Sequence, residues 1–321
     1  MALTRKRVFI IAVFALIFLF LLSLEIGAVP NANWDLIFHL RFPRVLLAAA
    51  VGVGLAVAGV VLQALFSNPL CEPYTLGISS GAALGSIAGG LLGLQWVVSG
   101  LAVSAFLGAL LFLAILYLIS RQRRESSNSL LLAGVMLGFL GSSLVALWTA
   151  LADSNGIQGS IFWLLGDLSR ARLSGAFFAM CSVLGICGMI WSRAGVLDAF
   201  LMGEEGALSL GVDVSQSRRK MILLASILVG VCVSASGMIG FIGLIVPHLA
   251  RKSVGALHRQ LIPLSGIYGA IALIVADSMV RGLFKPYEVP VGVVTALVGA
   301  PAFLWMMSAG RNVSSSEGSA S

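Results

Sequence analysis

Five residues, Gly77-Ile78-Ser79-Ser80-Gly81, have the spacing of a nucleophile elbow, in which a serine on a sharp turn attacks an acyl group. That chemistry needs a strand before the turn and an α/β sheet behind it. Here the motif opens an apolar helical run, so the serines read as small packing residues. Lys6, Lys220, Lys252 and Lys285 are the only lysines, and none follows a glycine. A phosphate-cradling Walker A loop requires that glycine–lysine pair, so the chain carries no P-loop ATPase of its own. His39, His248 and His258 are too scattered for a local metal site, and there is no HExxH. Asp277 is the clearest acid within an apolar run, but Arg281 follows one helical turn later, which predicts an ion pair rather than a proton carrier. The four cysteines, Cys71, Cys181, Cys187 and Cys232, form no CxxC pair and read as small apolar packing residues.

The elements that hold these residues are membrane helices. Apolar residues make up 59% of the 321 positions and charged residues only 10%, against about 25% charged in a soluble domain. Mean hydropathy is +1.04. A soluble chain of this length cannot hide so much apolar surface, which excludes a soluble enzyme. Runs long enough for about 30 Å of hydrocarbon fall near residues 8–27, 44–65, 74–93, 96–119, 129–151, 173–192, 219–236, 239–250, 262–281 and 289–308. The fold class is therefore all-α: a polytopic membrane protein of about ten transmembrane helices, its eighth span short or broken. The first run follows Thr4-Arg5-Lys6-Arg7 and reads as an uncleaved helix, since no A-x-A site follows it. With the N-terminus inside, fourteen Lys and Arg fall in cytoplasmic segments and six outside. This predicts an N-in, C-in topology. The net charge of +7 is thus topological, and no basic stripe with aromatics supports nucleic-acid binding. Residues 1–311 read as one transmembrane domain, and 312–321 as a disordered polar tail.

Three features carry mechanical meaning. Gly77, Gly81, Gly85, Gly89 and Gly93 repeat every fourth position, which suits either close helix packing or the lining of a path. Asn68-Pro69-Leu70-Cys71-Glu72-Pro73 and Gly237-Met238-Ile239-Gly240-Phe241-Ile242-Gly243 break the helical pattern. The first break is a plain turn or a gate; the second suits a bent segment inside the bundle. Residues 196–217 are too polar to span and form the longest structured cytoplasmic loop. Two short helices around a glycine turn are expected there, and a protein-docking surface is their natural use.

At these points the chain resembles the FecCD-type permeases of ATP-binding-cassette (ABC) importers, which move ferric siderophores, haem or cobalamin. The resemblance rests on Leu40-Arg41-Phe42-Pro43-Arg44, Leu62-Gln63-Ala64-Leu65-Phe66-Ser67-Asn68-Pro69-Leu70, Gly77-Ile78-Ser79-Ser80-Gly81-Ala82, Gly240-Phe241-Ile242-Gly243-Leu244-Ile245-Val246-Pro247-His248 and the run from Val289 to Pro301. It implies a homodimer with the path on its two-fold axis, in a bacterial or archaeal plasma (inner) membrane. It also implies two ATP-binding subunits inside and one substrate-binding protein outside. No cofactor is expected on this chain; ATP and Mg belong to the partner ATPase. Arg41, Arg44 and Arg281 match arginines that dock the binding protein. Asn68 and Leu70 match one cytoplasmic gate, and Ser127 and Asn128 a second by position. Leu201, Gly203, Glu204, Glu205, Ala207 and Gly211 match the ATPase-coupling signature. Met238 departs from the family's usual Pro or Ala.

The competing reading is a secondary transporter driven by an ion gradient. It needs intramembrane acids that the sequence lacks, and it has no use for a coupling loop. Within the importer reading, family frequency favours an iron chelate, with a ferric siderophore ahead of haem or cobalamin.

Overall fold

The computed structural model describes residues 2–27, 33–94, 100–122, 127–151, 165–284, 287 and 289–317. Every regular element among them is helical. In chain order these are α1 (Ala2–Glu25), α2 (Trp34–Leu65), α3 (Ile78–Leu91), α4 (Gly100–Gln122), α5 (Ser127–Leu151) and α6 (Leu173–Trp191). There follow α7 (Ala194–Phe200), α8 (Gly203–Ser209), α9 (Val214–Ser236), α10 (Ile242–Val254), α11 (His258–Leu283) and α12 (Val291–Glu317). Seven of the described helices, α1, α2, α4, α5, α6, α9 and α11, are long and apolar enough to cross a membrane. α3 and the Val291–Met306 part of α12 are shorter apolar helices.

The sequence starts the second span at residue 44, whereas the helix begins at Trp34. Pro43 lacks an N–H, and the chain accommodates it with a π-helical turn over Ile37–Arg41, closed by the Phe42 N–H on the Ile37 carbonyl. The third span is shorter than its apolar run, because Pro73–Leu76 forms a 3₁₀ turn and Gly77 sits left-handed at φ 72° before α3. The eighth, α10, has 13 residues and is about 20 Å long at 1.5 Å per residue, short as its sequence implies. The backbone of α12 stays helical to Glu317, through residues 312–317 where the sequence suggests a disordered tail. Residues 318–321 lie outside the described residues.

α2 is the central post. It packs on α6, α9, α10 and α11, and 89% of its apolar window is buried, against 11% for α1. Small residues make this possible. A Cβ at Gly52 would collide with the Gly269 carbonyl of α11, one at Gly59 with the Gly243 carbonyl, and one at Gly54 with Cys232 Sγ. In lipid there is little hydrophobic drive between helices, so close backbone approach supplies the packing energy. The glycine ladder works the same way. Side chains at Gly81, Gly85 or Gly89 would strike α4 at Gly108, Phe112 or Ser104, whereas Gly93 faces open space. Three rungs of the ladder are thus helix-packing surface. The four cysteines are free, and Cys71, Cys187 and Cys232 are buried.

Two prolines inside helices would strand carbonyls, and side chains from other elements fill both. Pro247 cannot donate to the Gly243 carbonyl, which accepts from Gln63 Nε2 at 3.3 Å. Pro263 cannot donate to the Arg259 carbonyl, which accepts from Trp191 Nε1 at 2.9 Å. Both repairs satisfy backbone groups that lipid could not.

Candidate functional site

The functional residues expected from sequence collect at opposite ends of α2 and α11. These helices run antiparallel: Arg44 meets Asp277 near one end and Gly52 meets Gly269 further along.

At the first end, Asp277 is fully buried and accepts from Arg44 Nε and Arg281 Nε, each at 2.8 Å. Arg281 also donates to the carbonyls of Ser23 (3.0 Å) and Ile26 (2.6 Å) and to Ser23 Oγ. Arg41 donates to the carbonyls of Leu24 and Glu25, both at 2.9 Å. The last carbonyls of α1 have no partners within the helix, and two guanidinium forks cap them. The three arginines therefore lie together at this end, and Asp277 is paired with Arg281, as their i, i+4 spacing predicts. The cluster is more enclosed than a bare docking patch: Arg281 is 8% and Arg44 17% exposed at the side chain. Within the cluster itself, three guanidinium groups stand around one buried carboxylate, a local excess of positive charge.

At the other end the two helix breaks meet. Asn68 makes an Asx turn, its Oδ1 accepting the Leu70 N–H at 2.9 Å, and Leu70 is exposed. Just after this turn, the chain reaches across to the second break. Glu72 Oε1 accepts the N–H of Phe241, a bulky residue held left-handed at φ 69°. Tyr74 donates to the Ile239 carbonyl at 2.6 Å and accepts the Ile239 N–H. Gln63 donates to Gly243 and Leu244 and accepts from Arg251 Nη2 at 3.3 Å. Burial raises the Glu72 carboxyl above the ordinary carboxylate range, and the Phe241 bond draws it back down. The Asn68–Leu70 turn is thus tied to the bent segment before α10. Ser127 and Asn128 open α5, and their side chains lie outside the described residues.

Of the residues matched to the coupling signature, Gly203, Glu204, Glu205 and Ala207 lie on α8, Leu201 in the turn from α7 and Gly211 just past α8; Gly203 (φ 81°) joins the two short helices and Gly211 (φ 79°) closes the second. Those angles favour glycine. Ala207 is fully buried, while Leu201, Met202, Leu208 and Leu210 are exposed beside Glu204 and Glu205 in the first turn of α8. Glu204 pairs with Arg218 of α9, whose guanidinium stands 6.0 Å from the Phe200 ring centre. An apolar patch with acids on two small helices is a surface shaped for a protein partner.

The model of the FecCD transport family matches residues 8–309. The chain belongs to the FecCD transport family. It is 40% identical over 283 residues to the hemin transport system permease protein HmuU of Yersinia pestis, covering 86% of this chain and 84% of that one. It is 38% identical over 298 residues to the vitamin B12 import system permease protein BtuC of Vibrio cholerae, covering 90% and 89%. A solved inward-facing ABC transporter of metal-chelate type superposes with a TM-score of 0.86 at 33% identity, covering 95% of this chain and 99% of that one. This FecCD chain is a multi-pass membrane permease subunit of the ABC-importer class, without an ATPase site.

Several residues of this FecCD chain escape a reading of the sequence. Gln63, Tyr74, Trp191 and the Asp198–His258 pair are single polar residues in apolar or mixed context. Pro247 and Pro263 each announce an orphan carbonyl four residues earlier, but the donor comes from an element far away in the chain.

Proposed function

We propose that the chain is the permease subunit of an ATP-driven importer for a large metal chelate. It works as a homodimer of ten-span subunits, N-in and C-in, in a plasma membrane. Two ATP-binding subunits dock on α7–α8 and hold the ATP and Mg. A substrate-binding protein docks at the opposite end, drawn by the field of Arg41, Arg44 and Arg281. The observation that carries this reading is the α7–α8 pair: two short helices with exposed leucines and glutamates, set at the far end of the bundle from the arginine cluster. A channel or a gradient-driven carrier has no need of both surfaces.

Asn68 and Leu70 act as the cytoplasmic gate, with Ser127 and Asn128 beside the path. The cargo is a metal tetrapyrrole, haem or cobalamin, because the similar permeases named above carry hemin and vitamin B12. Family frequency alone favours a ferric siderophore, and it is the weaker guide. With Asp277 committed to two arginines, nothing favours a gradient-driven mechanism.

The test is a pull-down of the tagged chain from its native membrane, with mass spectrometry of what co-purifies. The expected result is an ATPase in equal amount, and a binding protein when ATP is absent. That binding protein is then titrated with haemin, cyanocobalamin and a ferric hydroxamate. A chain recovered only with itself overturns the importer; binding of the hydroxamate alone overturns the tetrapyrrole.

A further inference from the structure

The helix that carries Asp277 and Arg281 at one end begins, at the other, on a residue of the coupling pair. Leu257, the residue before α11, has an apolar side chain and caps nothing. The cap comes instead from Asp198 of α7. Its Oδ1 accepts the His258 backbone N–H at 2.8 Å and the His258 Nδ1–H at 2.7 Å. His258 is 1% exposed, and its Nε2 is enclosed with no partner among the described residues. The imidazole therefore has one polar contact, and that contact is Asp198.

A serine or aspartate at position 257 would cap α11 as well, and locally. A carboxylate borrowed from α7 does something more, because it makes the end of α11 and the coupling helix one body. The attachment of α8 is of another kind. Glu204, paired with Arg218 of α9, is 48% exposed at the side chain and Arg218 8%, so the carboxylate end of that pair is the one screened by solvent. Beyond the joint, α11 runs about 29 Å from His258 to Asp277 at 1.5 Å per residue, packed without a gap on α2 at Gly52 and Gly269. Asp277 then holds Arg44 and Arg281. An unbroken chain of close contacts connects the ATPase-facing helices to the arginine cluster.

We propose that Asp198 and His258 are positioning residues that transmit force between the two docking ends, through α11. The proposal rests on the importer reading. Motion of α7 is carried into α11 by this joint, whose imidazole is enclosed, while the solvent-facing Glu204 end of the Glu204–Arg218 pair lets α8 give.

The test uses the purified importer, with the ATPase and binding protein that the pull-down supplies, in proteoliposomes. ATP turnover is measured while the ligand-free binding protein is titrated, so no substrate need be known. Asp198→Ala removes both bonds, His258→Ala keeps the backbone cap, and Asp198→Asn keeps a neutral acceptor. The expected result is a maximal stimulation reduced about fivefold or more in Asp198→Ala, with basal turnover within about twofold of wild type. The binding-protein concentration giving half the effect stays at the wild-type value, because the arginine cluster is untouched. Asp198→Asn recovers part of the stimulation. A merely structural role would lower assembly, basal and stimulated turnover together, and that pattern overturns the proposal. So does full stimulation in any of the three variants that assembles, His258→Ala and Asp198→Asn serving where Asp198→Ala does not. A wild-type complex that ignores the binding protein overturns the importer reading and takes the joint with it.

Discussion

The two ends of α11 are held in opposite ways. At its C-terminal end one fully buried carboxylate, Asp277, gathers two guanidinium groups, and the remaining donors close over the end of α1. At its N-terminal end each neighbour holds a different residue: Arg5 bonds Gln260, Trp191 the Arg259 carbonyl, and Asp198 both the backbone N–H and the Nδ1–H of His258. The first arrangement is a hub, in which two buried cations share one carboxylate. The second is a set of separable ties. A hub suits a surface that must keep one shape for a partner to recognise. Separable ties suit an end that must shift without unfolding.

The largest expected effect is at the hub. Asp277→Ala strands two buried cations, and breaking a buried ionic group this way costs about 3–5 kcal/mol. The midpoint of thermal unfolding in detergent should fall by more than for any substitution at the other end of α11. A midpoint close to wild type would mean that water already reaches Arg44 and Arg281, and the contrast between the ends would be lost.

The hub and the ties differ also in how far the sequence shows them. Asp277 and Arg281 stand at i and i+4 on one apolar helix, so their pairing is local and legible. The two short helices α7 and α8 are legible too, since Gly203 and Gly211 punctuate a polar stretch between spans. The shortness of α10 follows from the run of apolar residues alone. The cap on α11 is not legible, because Asp198 lies 60 positions away and Leu257 signals no need for it. The same holds for Glu72 and Tyr74, which repair a break some 165 residues downstream. Local chemistry announces the missing partner; only the tertiary packing supplies it. Nor does the sequence show that Arg41 and Arg281 cap α1, since any outward-facing arginine looks alike on paper.

Between the ends the packing is steric. A Cβ at Gly52 meets the backbone carbonyl of Gly269, which no rotamer change can move aside. Gly52→Ala must push α2 and α11 apart, at a cost of about 1–3 kcal/mol. Gly188→Ala on α6 meets nothing within 4 Å and should leave the unfolding midpoint unchanged or raise it. Equal effects at both positions would show that the crossing is loose, and that α11 cannot act as a rigid connection between hub and ties.

Trp191 tests one tie. Trp191→Phe keeps an aromatic ring, smaller than the indole, and removes the N–H, leaving the Arg259 carbonyl without its donor, for a loss of about 1–2 kcal/mol. Pro263→Ala restores an N–H at the position that would normally serve that carbonyl. In the double variant the helix makes its own bond, so the loss should largely disappear. A double variant as unstable as Trp191→Phe would place the value of Trp191 in its ring rather than in its hydrogen bond.

The smallest effect belongs to Arg5. Its Nη1 reaches Gln260 Oε1 at 3.2 Å, from a helix whose apolar window is only 11% buried. A hydrogen bond of this length between partly solvated side chains is exchanged for water when it breaks, so little is stranded. Arg5→Ala should shift stability by no more than about 0.5 kcal/mol, and Gln260→Ala by the same amount. Because the bond is shared, the double variant should lose no more than either single one. If instead Arg5→Ala lowered the midpoint as far as Trp191→Phe does, the N-terminal ties of α11 would be acting as one unit. The end read here as separable would then be a second hub, and α1, α6 and α7 would be able to move against α11 only together.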